Sequence, residues 1–493
     1  MKSNNSAAEG RDAAWRVALR DAMPAKERTA IPRVKMPELS PQVRVTNFEE
    51  VNRGLTQEQA LTESTRCLDC PDPQCVTGCP VAIDIPGFIK NIQRGDLPEA
   101  SRVLRLTSAL PAVCGRVCPQ EKQCESKCIY NRMKKQPVAI GYLERFAADS
   151  QSEKVADASL TGPKDFKCKI AVAGSGPAGL SFAGDMASRG YDVTVFEALH
   201  EIGGVLKYGI PEFRLPNRVV DVEIEALRRM GVKFVTDVVI GKTLSVERLS
   251  EMGFKGLFVG SGAGLPGFMN IPGENLIGVM SCNEYLTRIN LMGAGRPGFD
   301  TPVLRGHTVA VIGGGNTAMD SVRTARRMGA ERALVIYRRG EEEMPARKEE
   351  VEHARQEGVE FLTLHNPVEY LPDELGRVRA MRLQRMKLGE PDASGRRRPE
   401  PIEGDIVEMP VDLVIVSVGV SPNPLIPNHV EGIGVSRRGT IEVNPDTMQS
   451  AVPTLFAGGD IVRGGATVIL AMGDGRRAAA GMDAWLSGSE NGA

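Results

Sequence analysis

The sequence predicts an α/β protein in which a helical N-terminal region precedes two open parallel sheets, the second inserted within the first. Three observations carry this prediction. Eight of the ten cysteines fall between Cys67 and Cys128, and ordinary α/β patterning starts only after them. From residue 169 onward, short β-branched runs ending in glycine alternate with helical segments, the signature of parallel sheets with helices on both faces. Two of those runs open glycine-rich turns, at Gly174 and Gly313, and a pattern that would complete the first sheet returns only at 456–462.

The N-terminal region reads as mainly helical. Prolines at 24, 32, 37 and 41 suggest an extended arm, ending in a short helix near 56–66. The stretch IPGFIKNIQRGDLPEASRVLRL (85–106) has helical apolar spacing broken near Gly95 and Pro98, which predicts a helix pair. The cysteines around it are spaced Cys67-x2-Cys70-x4-Cys75-x3-Cys79-Pro80 and Cys114-x3-Cys118-Pro119-x4-Cys124-x3-Cys128. Such density in a chain without a signal-like N-terminus points to thiolate ligation rather than disulfides. Iron–sulfur clusters and four-thiolate zinc sites both use soft sulfur ligands, and the Cys-Pro endings resemble the ferredoxin type. A polar linker, 152–165, follows.

The first glycine turn comprises Gly174, Ser175, Gly176, Pro177, Ala178 and Gly179, between the run KIAVA and a helical segment. Its glycines permit a tight turn and close approach to a pyrophosphate at a helix N-terminus. Glu197 ends the next run, where a carboxylate can bond ribose hydroxyls. The second turn holds Gly313, Gly314, Gly315, Asn316, Thr317 and Ala318, and its following run ends in Arg338 and Arg339 instead of an acid. Guanidinium groups there suit a 2′-phosphate, so this site is expected to prefer NADP(H) over NAD(H), the alternative being a solvated strand end. Gly203 and Gly204, beyond Glu197, and Gly459 and Asp460 in FAGGDIV resemble flavin-side elements of two-dinucleotide flavoproteins, in which the Asp reaches the ribityl chain. A helix starting near Thr467 would direct its positive end at a flavin's pyrimidine edge. The expected fold is therefore two Rossmann-like dinucleotide-binding domains, an NADPH domain inserted in an FAD domain. The expected divisions are 1–150, 165–300, 301–418 and 419–493, the second and fourth forming the FAD domain.

Bulk properties exclude other classes. Sixty-one basic and sixty-two acidic residues leave a net charge of −1, which gives no pull toward nucleic acid. Arg396, Arg397 and Arg398 read as a solvated hairpin loop, and Asp320 and Arg323 as packing or surface residues on the second turn's helix. No apolar run reaches the roughly 18–20 residues of a membrane span, so a cytoplasmic location is expected. Cys168 and Cys282 are isolated, which argues against a flavin disulfide reductase.

Taken together, CPVAIDIPGFI, LPAVCGRVCPQEKQCESKC, AIGYLERF, YGIPEFRLP, GGGNTAMDSVRTARRMGA, EEEMPARKEEVEHA, GEPDASGRRRPEPIEG and FAGGDIVRGGATV resemble the small (β) subunit family of NADPH-dependent glutamate synthase. Related families are the large subunit of NADH-dependent ferredoxin:NADP oxidoreductase (sulfide dehydrogenase) and the N-terminal half of dihydropyrimidine dehydrogenase. The resemblance runs from about residue 40 onward. It implies FAD, NADPH and two [4Fe–4S] clusters with interleaved ligands: Cys67, Cys70, Cys75 and Cys128 for one, and Cys79, Cys118, Cys124 and Glu144 for the other. Cys114 stays open as an alternative to Glu144. It further implies electron flow from NADPH through FAD and the clusters to a partner, either a glutamate synthase large subunit carrying FMN and glutaminase or a ferredoxin reductase-like small subunit. Such a chain would work within a hetero- or homo-oligomer. Hydride transfer needs no acid–base side chain, so no catalytic residue is expected.

Overall fold

The computed structural model describes residues 9–151, 166–393 and 395–490; the linker expected at 152–165 lies outside them. The first region is helical, as α1 (Ala14–Ala22), α2 (Gln57–Arg66), α3 (Ile85–Gln93), α4 (Leu97–Arg105), α5 (Pro111–Val117) and α6 (Ile140–Asp149). Local chemistry explains their bounds. Thr56 and Gln59 form a reciprocal capping box on α2, a feature worth about 1 kcal/mol. Asp84 and Asp96 cap α3 and α4, each with Pro in the first turn. The predicted helix break is the Gly95 turn, at φ +82°.

The first parallel sheet contains β1 (Lys169–Ala173), β2 (Asp192–Phe196), β3 (Lys233–Val235) and β4 (Phe254–Val259). The chain then leaves through β5 (Leu265–Pro266) and builds a second sheet from β6 (Val279–Ser281), β7 (Thr308–Ile312), β8 (Arg332–Tyr337) and β9 (Glu360–Thr363). An antiparallel sheet follows, β10 (His365–Pro372), β11 (Val378–Pro391) and β12 (Arg397–Pro410), before β13 (Leu413–Val416) completes the second sheet. The chain returns through β14 (Val420–Ser421), which pairs with β5, and β15 (Leu455–Ala457) then joins the first sheet. The strand orders are β15-β4-β1-β2-β3 and β6-β13-β7-β8-β9. One sheet is thus inserted within the other, as expected. Because β6 pairs with β13 through Val279↔Val414, the inserted unit recruits residues well before 301.

Helices α7 (Pro177–Ser188), α8 (Val205–Tyr208) and α9 (Asn217–Arg229) belong to the first unit. Helices α10 (Cys282–Asn290), α11 (Asn316–Arg327) and α12 (Lys348–Gln356) belong to the second, and α13 (Val468–Glu490) packs beside α7. The second sheet departs from the expectation of helices on both faces. Tyr285, Met319 and Val322 cover one face from α10 and α11, while Tyr370, Met381 and Leu383 of the antiparallel sheet cover the other. Of the residues read as a hairpin loop, Arg396 lies in the turn of the long β11–β12 ribbon, and Arg397 and Arg398 open β12.

A buried ion network joins the parts. Arg44 of the arm meets Glu357 at 2.9 Å, and Arg323 and Arg327 of α11 each meet Glu357 at 2.7 Å. Despite burial, the Arg323 and Arg327 guanidinium groups hold the Glu357 carboxyl down to about 2. Arg323 and Asp320 are therefore buried junction residues, not surface ones. Removing one partner of such a pair costs about 3–5 kcal/mol, because the other charge is left stranded.

Candidate functional site

Between the two parallel sheets lies a cavity of about 1100 Å³, just above the usual range for a ligand pocket. Its wall on the first unit includes Gly174, Gly176, Pro177, Ala178, Glu197, Gly204, Gly459, Asp460 and Thr467. Gly174 has φ +100°, and a Cβ on Gly179 would lie 2.0 Å from the Gly174 carbonyl oxygen. Only glycine lets the turn fold this tightly onto α7, whose N-terminus then opens into the cavity. Ser175 and Gly203 sit behind the wall. The Ser175 N–H and hydroxyl donate to Glu197 Oε2 at 2.9 and 2.5 Å, and the Gly203 N–H donates to Ser175 Oγ at 2.9 Å. With the Leu199 N–H at 3.0 Å on Oε1, Glu197 is fixed at the end of β2.

Across the cavity, Asp460 Oδ1 accepts from the Ala466 N–H at 3.0 Å, and burial raises its pKa. Thr467, Val468 and Ala471 place the N-terminus of α13 on the wall. Asp474, fully buried on α13, accepts the Gly459 N–H at 3.0 Å and the Arg463 guanidinium at 2.6 Å, which fixes this loop. Asp474 and Tyr208 escaped the sequence reading. Tyr208 lines the cavity, and burial together with the Asp460 and Glu197 charges pushes its hydroxyl up to about 12. Tyr208 opens the segment YGIPEFRLP, but nothing local marks it, or Asp474, as part of the site.

On the second unit, Asn316, Thr317 and Asp320 reach the cavity, whereas Gly313, Gly315 and Ala318 do not line it. Gly313 has φ +140°, and a Cβ there would meet the Ser417 carbonyl oxygen at 2.2 Å. Asn316 Oδ1 accepts the Arg347 N–H at 2.8 Å, which ties the turn to α12. The two arginines beyond β8 part company. Arg338 is exposed, while Arg339 is buried, donating to Asp392 Oδ2 at 2.7 Å and to the Arg397 carbonyl at 2.8 Å. Successive side chains of an extended chain point to opposite sides, and the β11–β12 ribbon covers the Arg339 side. Arg339 thus anchors the ribbon, and of the two arginines only Arg338 is exposed.

The cysteines gather into two groups, and no cysteine of the described chain forms a disulfide. Burial raises Cys70 to about 11, with the charges of Cys67 and Cys128 adding to it. Burial also raises Cys75, again with Cys67 and Cys128 contributing. The second group holds Cys79, Cys114, Cys118, Cys124 and Glu144. Burial pushes Cys79 to about 11, with Glu144 and Cys114 adding, and Cys124 rises through burial, Glu125 and Glu144. Glu144 is buried with Oε1 unpartnered, and burial lifts its carboxyl to about 8. A buried acid without a donor, facing thiols, is costly unless a cationic group satisfies it. Cys114 donates its thiol to Met472 Sδ of α13 at 3.5 Å. Among the described residues, no three cysteine sulfurs lie within 4.8 Å of one another.

The second group adjoins the cavity. Val117, next to Cys118, lines the wall, and Gln123 Nε2, next to Cys124, lies 3.5 Å from Thr467 Oγ1. Pro80, after Cys79, packs against Gly473 of α13, where a Cβ would come within 2.9 Å of its carbonyl oxygen. The first group lies on the arm side, where the Cys67 carbonyl accepts from Lys90 and from Arg28.

Comparison with known proteins agrees with this layout. Residues 44–156 match the family described as dihydropyrimidine dehydrogenase domain II, 4Fe-4S cluster. Residues 168–475 match the pyridine nucleotide-disulphide oxidoreductase family. The chain is 36% identical to the glutamate synthase [NADPH] small chain of Escherichia coli, over 92% of this chain and 97% of the relative. It is 38% identical to the NADP(+)-dependent formate dehydrogenase subunit beta of Moorella thermoacetica, over 84% of this chain and 60% of that one. Mycobacterium tuberculosis FprA in complex with NADPH shares the fold at a TM-score of 0.55 and 20% identity, over 66% of this chain and 86% of FprA. The chain belongs to the family of the NADPH-dependent glutamate synthase small chain.

Proposed function

We propose that this chain is the NADPH-oxidising electron-input subunit of a glutamate synthase, delivering electrons to a larger partner that makes glutamate from glutamine and 2-oxoglutarate. The observation that carries the reading is the contact of the second cysteine group with the first turns of α13, at the wall of the dinucleotide-sized cavity. When bound, FAD supplies the exchange between hydride and single electrons that lets a nicotinamide feed iron–sulfur clusters. The residues present fit that group. Gly174, Gly176 and the α7 N-terminus would take the pyrophosphate, Glu197 the ribose hydroxyls, and Asp460 the ribityl chain. The N-terminus of α13 at Thr467 offers positive dipole to negative charge at the flavin's edge. Cys79, Cys118, Cys124 and Glu144 would hold the flavin-side cluster, and Cys67, Cys70, Cys75 and Cys128 the arm-side one. The chain's own task is orientation and exclusion of water, which needs no side chain moving a proton.

The corresponding division is a cluster domain to about residue 150, an FAD domain in two parts, and an NADPH domain that takes in β6 through β13. Among the described residues no helix is long and apolar enough to cross a membrane, and we place the protein in the cytoplasm. Anaerobically prepared protein, combined with the large subunit from the same cell, is expected to oxidise NADPH only with glutamine and 2-oxoglutarate present. Coupling to ferredoxin or NADH instead would favour the ferredoxin:NADP oxidoreductase reading. That alternative rests on the arm, VRVTNFEEVNRGLTQEQALTESTRCLDC, which resembles that branch.

Arg338 gives a sharper test of nucleotide choice. A charge-assisted contact of about 1.5–3 kcal/mol corresponds to roughly 10- to 150-fold in affinity. Arg338→Ala should raise the KM for NADPH by about that factor and leave the KM for NADH unchanged. Arg339→Ala should lower Tm while preserving the preference for NADPH.

A further inference from the structure

The two parallel sheets are linked by two chain crossings, 260–278 and 417–454. Where the crossings meet they form only the two-residue pair β5–β14. Glycines 260, 262, 264 and 267 lie on one crossing and Gly419 on the other. A few loop residues, often small ones, can absorb the φ/ψ changes of a hinge. On such a hinge, the angle between the sheets must be set by contacts elsewhere.

Those contacts converge on Phe213 and Arg214, in the segment GIPEFRLP that follows α8. Arg214 is buried, and its Nη1 lies 2.7 Å from both oxygens of Asp320 on α11. Its Nε lies 3.2 Å from Glu350 of α12. Phe213, fully buried, packs under the guanidinium groups of Arg323 and Arg327, at 4.7 and 4.0 Å. The Phe213 carbonyl accepts the Val51 N–H of the arm at 3.0 Å. The first unit thus inserts a two-residue peg into the second. Arg214 itself lines the cavity, as do Tyr208 and Gly204 upstream of it and Asp320, one helical turn beyond Asn316.

We propose that Arg214 and Asp320 are positioning residues, a clamp that fixes the nucleotide-binding helix α11 against the flavin-side segment and so sets the nicotinamide's approach. This rests on the reading of the cavity as an FAD and NADPH site. Neither residue need touch the reacting atoms; their effect is on distance and angle. Misplacement by about 1 Å costs on the order of 100-fold in rate, so the clamp should act on the reductive step more than on nucleotide affinity.

Asp320→Asn tests this, because it removes the charge at nearly constant volume and leaves Arg214 its Glu350 partner. Under anaerobic conditions the variant should keep its flavin and iron and bind NADP+ with an affinity within about twofold of wild type. The long-wavelength charge-transfer absorbance of the nicotinamide–flavin pair should fade, and flavin reduction should slow by roughly 10- to 100-fold. Should that variant be insoluble, Asp320→Glu displaces the carboxylate by one methylene while keeping the charge, and the same readouts apply. A wild-type absorbance band and rate in either variant would overturn the clamp. A raised dissociation constant at unchanged limiting rate would also overturn it, making Asp320 a binding residue. If the wild-type protein itself binds no flavin, or its flavin is not reduced by NADPH, the cavity reading fails and not the clamp alone.

Discussion

Cys124→Ala is expected to separate the two halves of the electron path. NADPH should still reduce the flavin, since none of the dinucleotide-binding segments is altered, while transfer to the partner should cease. Cys124 belongs to the group that also contains Cys79, Cys118 and Glu144, and a cuboidal cluster that loses one of its thiolates is not retained as an intact four-iron unit. Bound iron should fall by about half. The remaining cluster, on the arm side, should keep its low-temperature electron paramagnetic resonance signal after chemical reduction. NADPH oxidation with an artificial acceptor that takes electrons from the flavin, measured beside reduction of the physiological partner, resolves the outcome. Full iron content and undiminished partner reduction would remove Cys124 from the path. Cys168→Ser, outside both cysteine groups, should leave iron and both activities unchanged.

Gly179→Val should have a comparably large effect on the other half. Its Cβ would stand 2.0 Å from the Gly174 carbonyl oxygen and 3.3 Å from Val172 Cγ1. The first obstacle is backbone, so no rotamer change relieves it. Overpacking among side chains costs about 1–3 kcal/mol, and a clash with a turn carbonyl must be met by moving α7 or opening the turn. Either displaces the N–H groups at the head of α7, and flavin released by acid extraction should fall to a small fraction of the protein concentration. Ala178→Gly, at a neighbouring position where an atom is removed instead of added, should retain flavin. Stoichiometric flavin in Gly179→Val would mean that the turn does not hold the pyrophosphate.

The parts of the site that could be read from the sequence are those in which function and local chain geometry coincide. Gly174, Gly179 and Gly313 must be glycine because the backbone passes too close for a side chain, and they stand at fixed spacing from strand and helix. The cysteines are equally legible, because ligand chemistry restricts the residue type. The junction residues carry no such mark. Asp320 and Arg323 look like ordinary helix residues until Arg214, Glu350 and Glu357 are brought to them from distant segments. Arg339 has the right composition for a phosphate site, yet a ribbon more than fifty residues further along claims it through Asp392. The antiparallel layer over the second sheet was missed for a related reason. Its strands were visible as a hairpin turn, but nothing local reveals which face of which sheet a ribbon will cover.

The return of the chain to its first sheet has a consequence for biosynthesis. β15, at Leu455–Ala457, pairs with β4, at Phe254–Val259, so the sheet opened early on the ribosome stays one strand short until about two hundred further residues have emerged. The inserted unit has its own sheet and core and can fold in the interval, as domains commonly do during synthesis. The loop around Asp460 and the head of α13 arrive later still. Prosthetic-group loading therefore waits for these segments, and products truncated before residue 455 should accumulate as pale species that have kept their nucleotide-binding insert.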